Sequence, residues 1–412
     1  MADIDIDNSI FIAFNESVQP RSLVWINSGT GYVFYPDSDQ SFVCKKTING
    51  GSTWSAPVNI DSNNLEKFGI WYDGWTRGIT GSNIHVCFLE TVSDQIIYRT
   101  LNIGTDTFGD NQIVFDGASA STTESWGDHC LSITKARGGN LYVGGWIDNS
   151  GEKGFWRSTD GGSTWSARSD VTSGNNVAEI QLLPASGTDG NDIWCIYDKS
   201  SQAEGIGSVF LRVYDDSANS WDWNLIVNNG TDVETTSFFH FDSTTRNSDD
   251  HGLLVLNNRN TSIAGSYNFY DIVGAGSIVE KTPVVTAESD LLPHVGIMIN
   301  QQNDYIFVTY FSGTPLSMGS IIYKESRDDG DSWIGPGLVS ETADDHRLIM
   351  GGTSIGNDGG RFQPAWFNDD LNDLLTNKLT SSVFGVSGGG GDITQYITFN
   401  YSDSFNSIIN IM

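Results

Sequence analysis

The sequence predicts an all-β fold, a β-propeller of four-stranded antiparallel blades. Helix patterns are nearly absent, and short runs of Val, Ile, Leu, Phe, Tyr and Trp alternate with clusters of Gly, Asn, Asp and Ser. A turn motif, S/T-x-D/N-x-G-x-x-W, occurs three times, and weaker copies bring its Asp or Asn back roughly every 55 residues. A repeat of this length with about four strands is typical of one propeller blade.

The three full copies of the motif span 47–54, 158–165 and 326–333. In each, the Asp or Asn can accept hydrogen bonds from backbone N–H groups, the Gly permits positive φ, and the Trp covers apolar surface. The residues in these three roles are Asn49, Gly51 and Trp54; Asp160, Gly162 and Trp165; and Asp328, Gly330 and Trp333. Such a motif predicts a well-anchored β-hairpin turn.

Weaker copies fill the intervals. Asp216 and Trp221 keep two of the motif positions. The stretch from Thr100 through Asn102 to Gly104 keeps the start of the motif, and Asp271 and Asn377 lie at the expected places with little else. With the three full copies, these positions predict seven blades, and six is the alternative count.

The three full copies resemble the Asp-box (BNR) repeats of the sialidase-like superfamily, over roughly residues 18–385. The resemblance implies a β-propeller, with six blades in the sialidases and seven in some relatives. It also implies that the motif turns lie on the blade rim, away from the active face. They therefore indicate fold rather than catalysis.

The chain divides into a propeller (1–385), a Gly-rich linker (386–392) and an apolar tail (393–412). The last blade lacks an outermost strand, which residues 9–14 or residues 381–385 could supply to close the ring. We expect the tail either to fold back onto the propeller or to dock on a partner or another subunit, giving a homo-oligomer or larger assembly.

Composition excludes several function classes. The 412 residues include 51 Asp+Glu against 21 Lys+Arg, a formal net charge of −30, which argues against nucleic acid and anionic membrane surfaces. No apolar run reaches the roughly 18 residues of a membrane helix, so membrane insertion is not expected. The N-terminus shows no signal peptide, so either export uses another route or a leader has been trimmed.

Cysteine usage points to neither metal binding nor a redox pair. Cys44, Cys87, Cys130 and Cys195 form no CxxC pair, and we expect free thiols buried in strands. No cofactor is expected.

Ionisable residues cluster just before the predicted first strand of each blade, where ligands bind in propellers of this type. In chain order they are Arg21, Arg77, Asp128 with His129, Glu179, His240, His294, and His346 with Arg347. They predict a ring around one mouth of the central channel, either as polar channel lining or as a ligand or metal site. A three-histidine metal site would use His240, His294 and His346.

Aromatic residues accompany this ring. Trp71, Tyr72 and Trp75 precede the predicted second blade, and Trp126 precedes the third. Exposed aromatic faces would stack on sugars, whereas packing between blades is the alternative.

The resemblance to sialidases implies three substrate-binding arginines, a Tyr–Glu nucleophile and an Asp acid/base. Arg21, in the stretch QPRSLV, resembles the first arginine, and Asp37 and Asp39 follow the second strand, where the acid/base Asp usually lies. The remaining arginine candidates are Arg77, Arg347 and Arg361. No Tyr–Glu pair is identifiable. Seven-bladed polysaccharide lyases offer a second comparison, because Asp128-His129 before a strand resembles one of their blade starts.

Two hypotheses result. The first is a non-catalytic recognition or structural module that binds a glycan or a protein partner and attaches through its tail, such as a phage virion fibre or decoration protein. Its location would be extracellular or virion-associated. The second is a glycoside hydrolase or polysaccharide lyase acting on acidic glycans, although the negative field opposes such substrates.

Overall fold

The chain forms a seven-bladed β-propeller of four-stranded antiparallel sheets. Seven blades were predicted from the repeat count, and this count is confirmed. The computed structural model describes residues 4–8, 10, 21–63, 65–90, 92–117, 131–146, 153–171, 179–186, 189–201, 206–229, 241–260, 263–274, 277–288, 291–312, 320–340, 346–350, 361–368, 373–376 and 379–380.

The first strand, β1 (Ile4–Asp7), precedes the blades. Blade 1 contains β2 (Leu23–Trp25), β3 (Gly31–Pro36), β4 (Phe42–Thr47) and β5 (Val58–Asp61). Blade 2 contains β6 (Leu65–Tyr72), a 3₁₀ turn (Asp73–Trp75), β7 (Asn83–Glu90), β8 (Gln95–Asn102), β9 (Thr107–Phe108) and β10 (Gln112–Asp116). Blade 3 contains β11 (Leu131–Lys135), β12 (Leu141–Trp146), β13 (Lys153–Ser158) and β14 (Ser166–Ala167).

The next three blades repeat this meander. Blade 4 contains β15 (Ile180–Pro184), β16 (Ile193–Ser201), β17 (Ile206–Asp215) and β18 (Ser220–Asn229). Blade 5 contains β19 (Phe241–Arg246), β20 (His251–Asn260), β21 (Ile263–Val273), β22 (Ser277–Glu280) and β23 (Val285–Glu288). Blade 6 contains β24 (Leu291–Asn300), β25 (Tyr305–Ser312), β26 (Ile321–Ser326) and β27 (Ile334–Ser340).

The N-terminus closes the ring. Blade 7 contains β28 (His346–Met350), β30 (Ala365–Asn368) and β31 (Asp373–Thr376), and β1 is its outermost strand. A separate pair joins β29 (Arg361–Phe362) to β32 (Leu379–Thr380).

The closing strand differs from both sequence candidates. Ile4–Asp7 pairs with blade 7, five residues before the predicted segment 9–14, of which Ile10 bridges Asp37 instead. The physical reason is anchoring, because Ile6 is buried and Asp7 accepts hydrogen bonds from blade 1. Residues 381–385, the linker 386–392 and the tail 393–412 lie outside the described residues.

The three full motif copies form the same turn. The motif Gly N–H donates to the first hydroxyl side chain at 3.0, 2.8 and 2.8 Å. The Asp or Asn side chain accepts from the N–H four residues later at 3.0, 2.9 and 2.9 Å. Each turn also packs against the blade before it in the ring, where blade 7 precedes blade 1. Gly51 lies against Gln363, Gly162 against Tyr98 and Gly330 against Phe269. These turns therefore clamp neighbouring blades together.

The predicted fourth copy does not form this turn. Asp216 instead accepts from the Arg157 guanidinium of blade 3 at 2.7 Å, and Trp221 belongs to β18 and packs on Phe155. The β17–β18 hairpin closes too tightly for the eight-residue motif, and the Asp215 side chain bonds the turn instead. The fourth copy is therefore an ion-pair link between blades.

The core lies between the blades and around the axis. The strand β15 is buried at every position, because neighbouring inner strands cover both of its sides. Cys44, Cys87 and Cys195 are buried and form no disulfide, as predicted, and Cys130 lies outside the described residues. Within the described ranges, no helix is long and apolar enough to cross a membrane.

Candidate functional site

The first strand of each blade lines the central axis, and all seven run in the same direction. We call the end where these inner strands begin the mouth face, and the end where they finish the floor face. Arg21 and Glu179 lie at the mouth face, directly before blades 1 and 4, as the sequence predicts, and both are buried. These two residues therefore stand directly before an inner strand, and their part in a ligand site remains a prediction.

Arg21 crosses the axis instead of facing solvent. Its guanidinium donates to the Gln181 side chain at 3.1 Å, the Leu182 carbonyl at 3.0 Å and the Ser243 hydroxyl at 2.8 Å. It also lies 5.3 Å from the centre of the Trp71 ring. One side chain of blade 1 thus joins blades 2, 4 and 5, and only 7% of its surface remains exposed.

A buried carboxylate accompanies this guanidinium. Asp242, the second residue of β19, accepts from the Ser243 and Ile297 amides at 2.8 and 2.9 Å. Burial raises the pKa of Asp242 to about 6, against the opposing influence of the Arg21 charge and the amide hydrogen bonds. Burial also lowers the pKa of Arg21 to about 10, against the charge of Asp242. The axis therefore holds opposite charges in a water-poor environment.

The floor face is closed by the 3₁₀ turn of blade 2. The Trp75 carbonyl accepts from the Thr245 hydroxyl at 2.6 Å, and the Gly74 carbonyl accepts from the Asn247 amide at 3.1 Å. Both donors belong to the end of the inner strand of blade 5 or the turn after it. The turn Asp73–Trp75, which we call the plug, thus spans the channel between two blades.

The predicted aromatic platform is wrong in position and exposure. Leu65–Tyr72 is itself the inner strand of blade 2, so Trp71, Tyr72 and Trp75 lie toward the floor face rather than ahead of the blade. All three side chains are buried, and the Trp71 and Trp75 rings meet edge-on at 5.5 Å. They belong to the hydrophobic core, as the packing alternative proposed, and present no ring face to a sugar.

Arg77 is displaced for the same reason. It follows the plug on the floor face and is exposed. Arg21 and Arg77 therefore lie at opposite ends of the channel and cannot clamp one substrate. Asp37 accepts from the Asp39 and Ser41 amides at 3.0 and 2.9 Å, which closes the β3–β4 hairpin at the mouth face. Asp39 is exposed in the same turn.

Of the other predicted site residues, some lie outside the described residues and the rest belong to described strands. Trp126, Asp128, His129 and His240 lie outside the described residues. His346 and Arg347 begin the inner strand β28, and His294 lies within the inner strand β24, so these backbone positions are near the mouth face. Arg361 belongs to β29. The three-histidine metal site remains a prediction.

Sequence reasoning missed a buried polar cluster beside the plug. The Asp73 carboxylate accepts from His85 Nε2 at 2.8 Å and from Lys135 Nζ at 2.6 Å, and His85 Nδ1 lies 2.7 Å from the Tyr98 hydroxyl. Burial raises the pKa of Asp73, but the hydrogen bonds and charges of His85 and Lys135 outweigh it and hold that pKa well below its usual range. No local motif marks these four residues, which come from four different elements.

Most described lysines and arginines are engaged internally. Ion pairs join Lys45 to Asp7, Lys46 to Asp106, Arg137 to Asp250, Arg157 to Asp216, Arg246 to Asp271, Lys281 to Asp331 and Arg327 to Glu325. Because these cations are neutralised within the fold, they add little to the attraction of an anionic ligand.

Comparison with known proteins identifies the fold only. No family model and no curated protein matches the chain. A solved ulvan lyase, described as a new family of polysaccharide lyase, is 11% identical, with a TM-score of 0.57 over 92% of this chain and 94% of that one. A Hadza microbial sialidase is 14% identical, with a TM-score of 0.45 over 84% and 75%. An α-L-arabinanase from Penicillium chrysogenum is 12% identical, with a TM-score of 0.43 over 92% and 98%.

Proposed function

We propose that this chain is a non-catalytic, carbohydrate-recognising propeller that binds an uncharged glycan at its mouth face. The observation that carries this proposal is the closed channel. Arg21 spans the axis below the mouth, and the plug spans the channel at the floor, so the channel is not an open pore. A closed channel would keep a ligand at the surface of the mouth face.

The absence of a catalytic role is supported by where the predicted groups lie. Arg21 uses its N–H groups on protein acceptors, and Arg77 lies on the opposite face. A hydrolase of the sialidase type needs several arginines and an acid/base pair around one sugar. Among the described side chains, these candidates do not converge.

The charge of the protein supports an uncharged ligand. The formal net charge is −30, and many described cations already pair with carboxylates. A polyanion would approach against this field, whereas a neutral saccharide would not. The likeness to an ulvan lyase structure supports a carbohydrate rather than a protein as the ligand.

A polysaccharide panel tests this proposal. Binding would be measured by affinity electrophoresis with neutral polymers, such as arabinan and galactan, and with anionic polymers, such as ulvan and pectate. We expect retardation by at least one neutral polymer. Alanine at His294 and His346, near the mouth face, should weaken binding by about tenfold or more, the equivalent of one or two lost hydrogen bonds. Arg77→Ala, on the floor face, is the control and should bind as the wild type does.

A polysaccharide lyase is the second candidate, favoured by the likeness over nine-tenths of both chains. The same panel distinguishes the two, because a lyase releases an unsaturated uronate that absorbs in the ultraviolet. Product from ulvan or pectate, lost in the His294→Ala or His346→Ala variant, would replace the non-catalytic proposal with the lyase.

We also propose that residues 393–412 attach the propeller to a larger assembly, such as a phage virion. The apolar pattern of this segment after a Gly-rich linker supports the idea. Light scattering on the chain with and without residues 386–412 tests self-association. The same number of subunits for both chains, together with unchanged capture of virion proteins, would contradict the attachment role.

A further inference from the structure

A buried polar chain links the plug to the motif turn of blade 3. From the Asp73 carboxylate it passes through His85 to the Tyr98 hydroxyl, at 2.8 and 2.7 Å. That hydroxyl lies 2.5 Å from the Thr100 hydroxyl and 3.3 Å from the Gly161 carbonyl of the turn. Asp73, His85 and Tyr98 are each at most 3% exposed, so water does not replace the bonds among these three residues.

The direction of the hydrogen bonds follows from the carboxylate. Asp73 is ionised and accepts at Oδ1 from both His85 and Lys135, so Nε2 of His85 carries a hydrogen. In the neutral imidazole, Nδ1 then has a lone pair and accepts from the Tyr98 hydroxyl. In the imidazolium, Nδ1 carries a hydrogen and needs an acceptor, and the Tyr98 oxygen is the atom within reach.

Tyr98 can serve either form of His85 because its hydroxyl has two further neighbours. When the Tyr98 oxygen accepts from His85, the Tyr98 hydroxyl hydrogen must point away from His85. The Gly161 carbonyl can receive that hydrogen, because a carbonyl oxygen only accepts hydrogen bonds. Thr100 can donate to or accept from the same oxygen. The hydroxyl can therefore reverse its direction without displacing heavy atoms.

The groups that face His85 determine the pH at which this reversal occurs. Burial lowers the pKa of His85, the Asp73 carboxylate opposes that effect, and the Lys135 ammonium adds to it. The Cys87 thiol and the Tyr98 phenol are the other titratable groups nearby, and burial raises the pKa of Tyr98, which keeps it neutral. The pKa of the His85 imidazole is thus below its usual value, and the imidazole takes up its proton only as the solution is acidified.

We propose that His85 and Tyr98 form a proton-operated link between the channel plug and the blade 3 turn. With His85 neutral, Tyr98 donates to His85. With His85 protonated, Tyr98 accepts from His85 and donates to the Gly161 carbonyl. A proton gained beside the plug is thereby transmitted as a new hydrogen bond to the clamp between blades 2 and 3.

Histidine NMR on the intact chain tests this proposal. Above the His85 midpoint, we expect the Nε2–H tautomer and a Gly161 carbonyl shift that reports no bond from Tyr98. As the pH falls, the His85 ring nitrogens and the Gly161 carbonyl should move with one midpoint. In Tyr98→Phe, the His85 midpoint should drop by roughly one pH unit because the imidazolium loses its acceptor, and the Gly161 response should vanish.

Thr100→Val removes one of the two possible acceptors of the Tyr98 hydroxyl hydrogen and leaves the Gly161 carbonyl as the other. If Gly161 receives the hydrogen, the coupled response persists in this variant, with amide spectra confirming that the fold is retained. An Nδ1–H tautomer for neutral His85, or a Gly161 carbonyl that ignores the His85 titration in wild type or in Thr100→Val, would overturn the proposal.

Discussion

The Arg21 guanidinium of blade 1 donates a hydrogen bond to the Ser243 hydroxyl of blade 5 at 2.8 Å, across the central axis. The two residues are 222 positions apart in the chain. A single side chain thus ties together blades that share no sheet. On the floor face, Trp75 and Thr245 repeat this arrangement between blades 2 and 5. The ring is therefore braced through its centre as well as around its circumference.

Removing the central guanidinium should destabilise the fold. Arg21→Met leaves the acceptors on Gln181, Leu182 and Ser243 without their donor and leaves Asp242 without its nearest cation. Loss of one partner of a buried charge pair typically costs about 3 kcal/mol or more. Urea unfolding would measure the loss, and Arg77→Met, at an exposed position, should change the free energy of unfolding by less than about 0.5 kcal/mol. Equal stability of the two variants would contradict the bracing role.

Asp242 should make a contribution to the free energy of unfolding that decreases as the pH rises. Its pKa is raised from 3.8 to about 6, so the folded chain binds this proton more tightly than the unfolded chain does. The contribution is fully present below pH 3.8 and is lost as the pH approaches about 6. Relative to Asp242→Asn, the wild type should lose about 3 kcal/mol of unfolding free energy as the pH rises from 3.8 through about 6. Denaturant unfolding at several pH values would check this, and parallel profiles for the two proteins would refute it.

The two glycines of the blade 3 turn should respond differently to alanine. Both have positive φ, 74° at Gly161 and 97° at Gly162. A Cβ at Gly162 would lie 2.0 Å from the Tyr98 ring, whereas a Cβ at Gly161 would meet nothing within 4 Å. Gly161→Ala should cost about 1 kcal/mol from backbone strain alone, and Gly162→Ala about 2 to 3 kcal/mol more because the blades must separate. Thermal unfolding would compare the pair. Equal losses would show that the turn does not clamp blade 2.

The attachment of the N-terminal strand β1 should depend on the carboxylate of Asp7. Asp7 accepts from the Tyr35 hydroxyl at 2.5 Å and pairs with Lys45 at 2.7 Å, which holds blade 7 against blade 1. Asp7→Ala leaves a largely buried ammonium without its carboxylate and should lower the free energy of unfolding by about 2 kcal/mol. Asp5→Ala, on the same strand but exposed, is the matched control. Faster hydrogen exchange of the β1 and β31 amides in Asp7→Ala alone would locate the effect, and no difference between the variants would argue against this closure.

Blade 2 shows why the sequence misplaced part of the candidate site. Its stretch from Leu65 through Trp75 is continuously rich in aromatic and apolar residues, so the boundary between strand and turn has no clear mark. The sequence pattern predicts the strand after Arg77, which would put the aromatic side chains at the mouth. In the folded ring the same residues form the inner strand and the plug, and their three large rings are buried in the hydrophobic core.

The sequence by itself determined the blade repeat, the seven-fold count and the three motif turns. These features depend on hydrogen bonds within about eight residues and on alternating burial along single strands, which a linear pattern records. Only the tertiary structure decided that β1 closes the ring, that Arg21 meets Asp242 and Ser243, and that Asp73, His85 and Tyr98 meet beside the plug. Such contacts join segments that approach one another only when seven sheets close around an axis. The sequence of a single repeat does not predict the geometry of that closure.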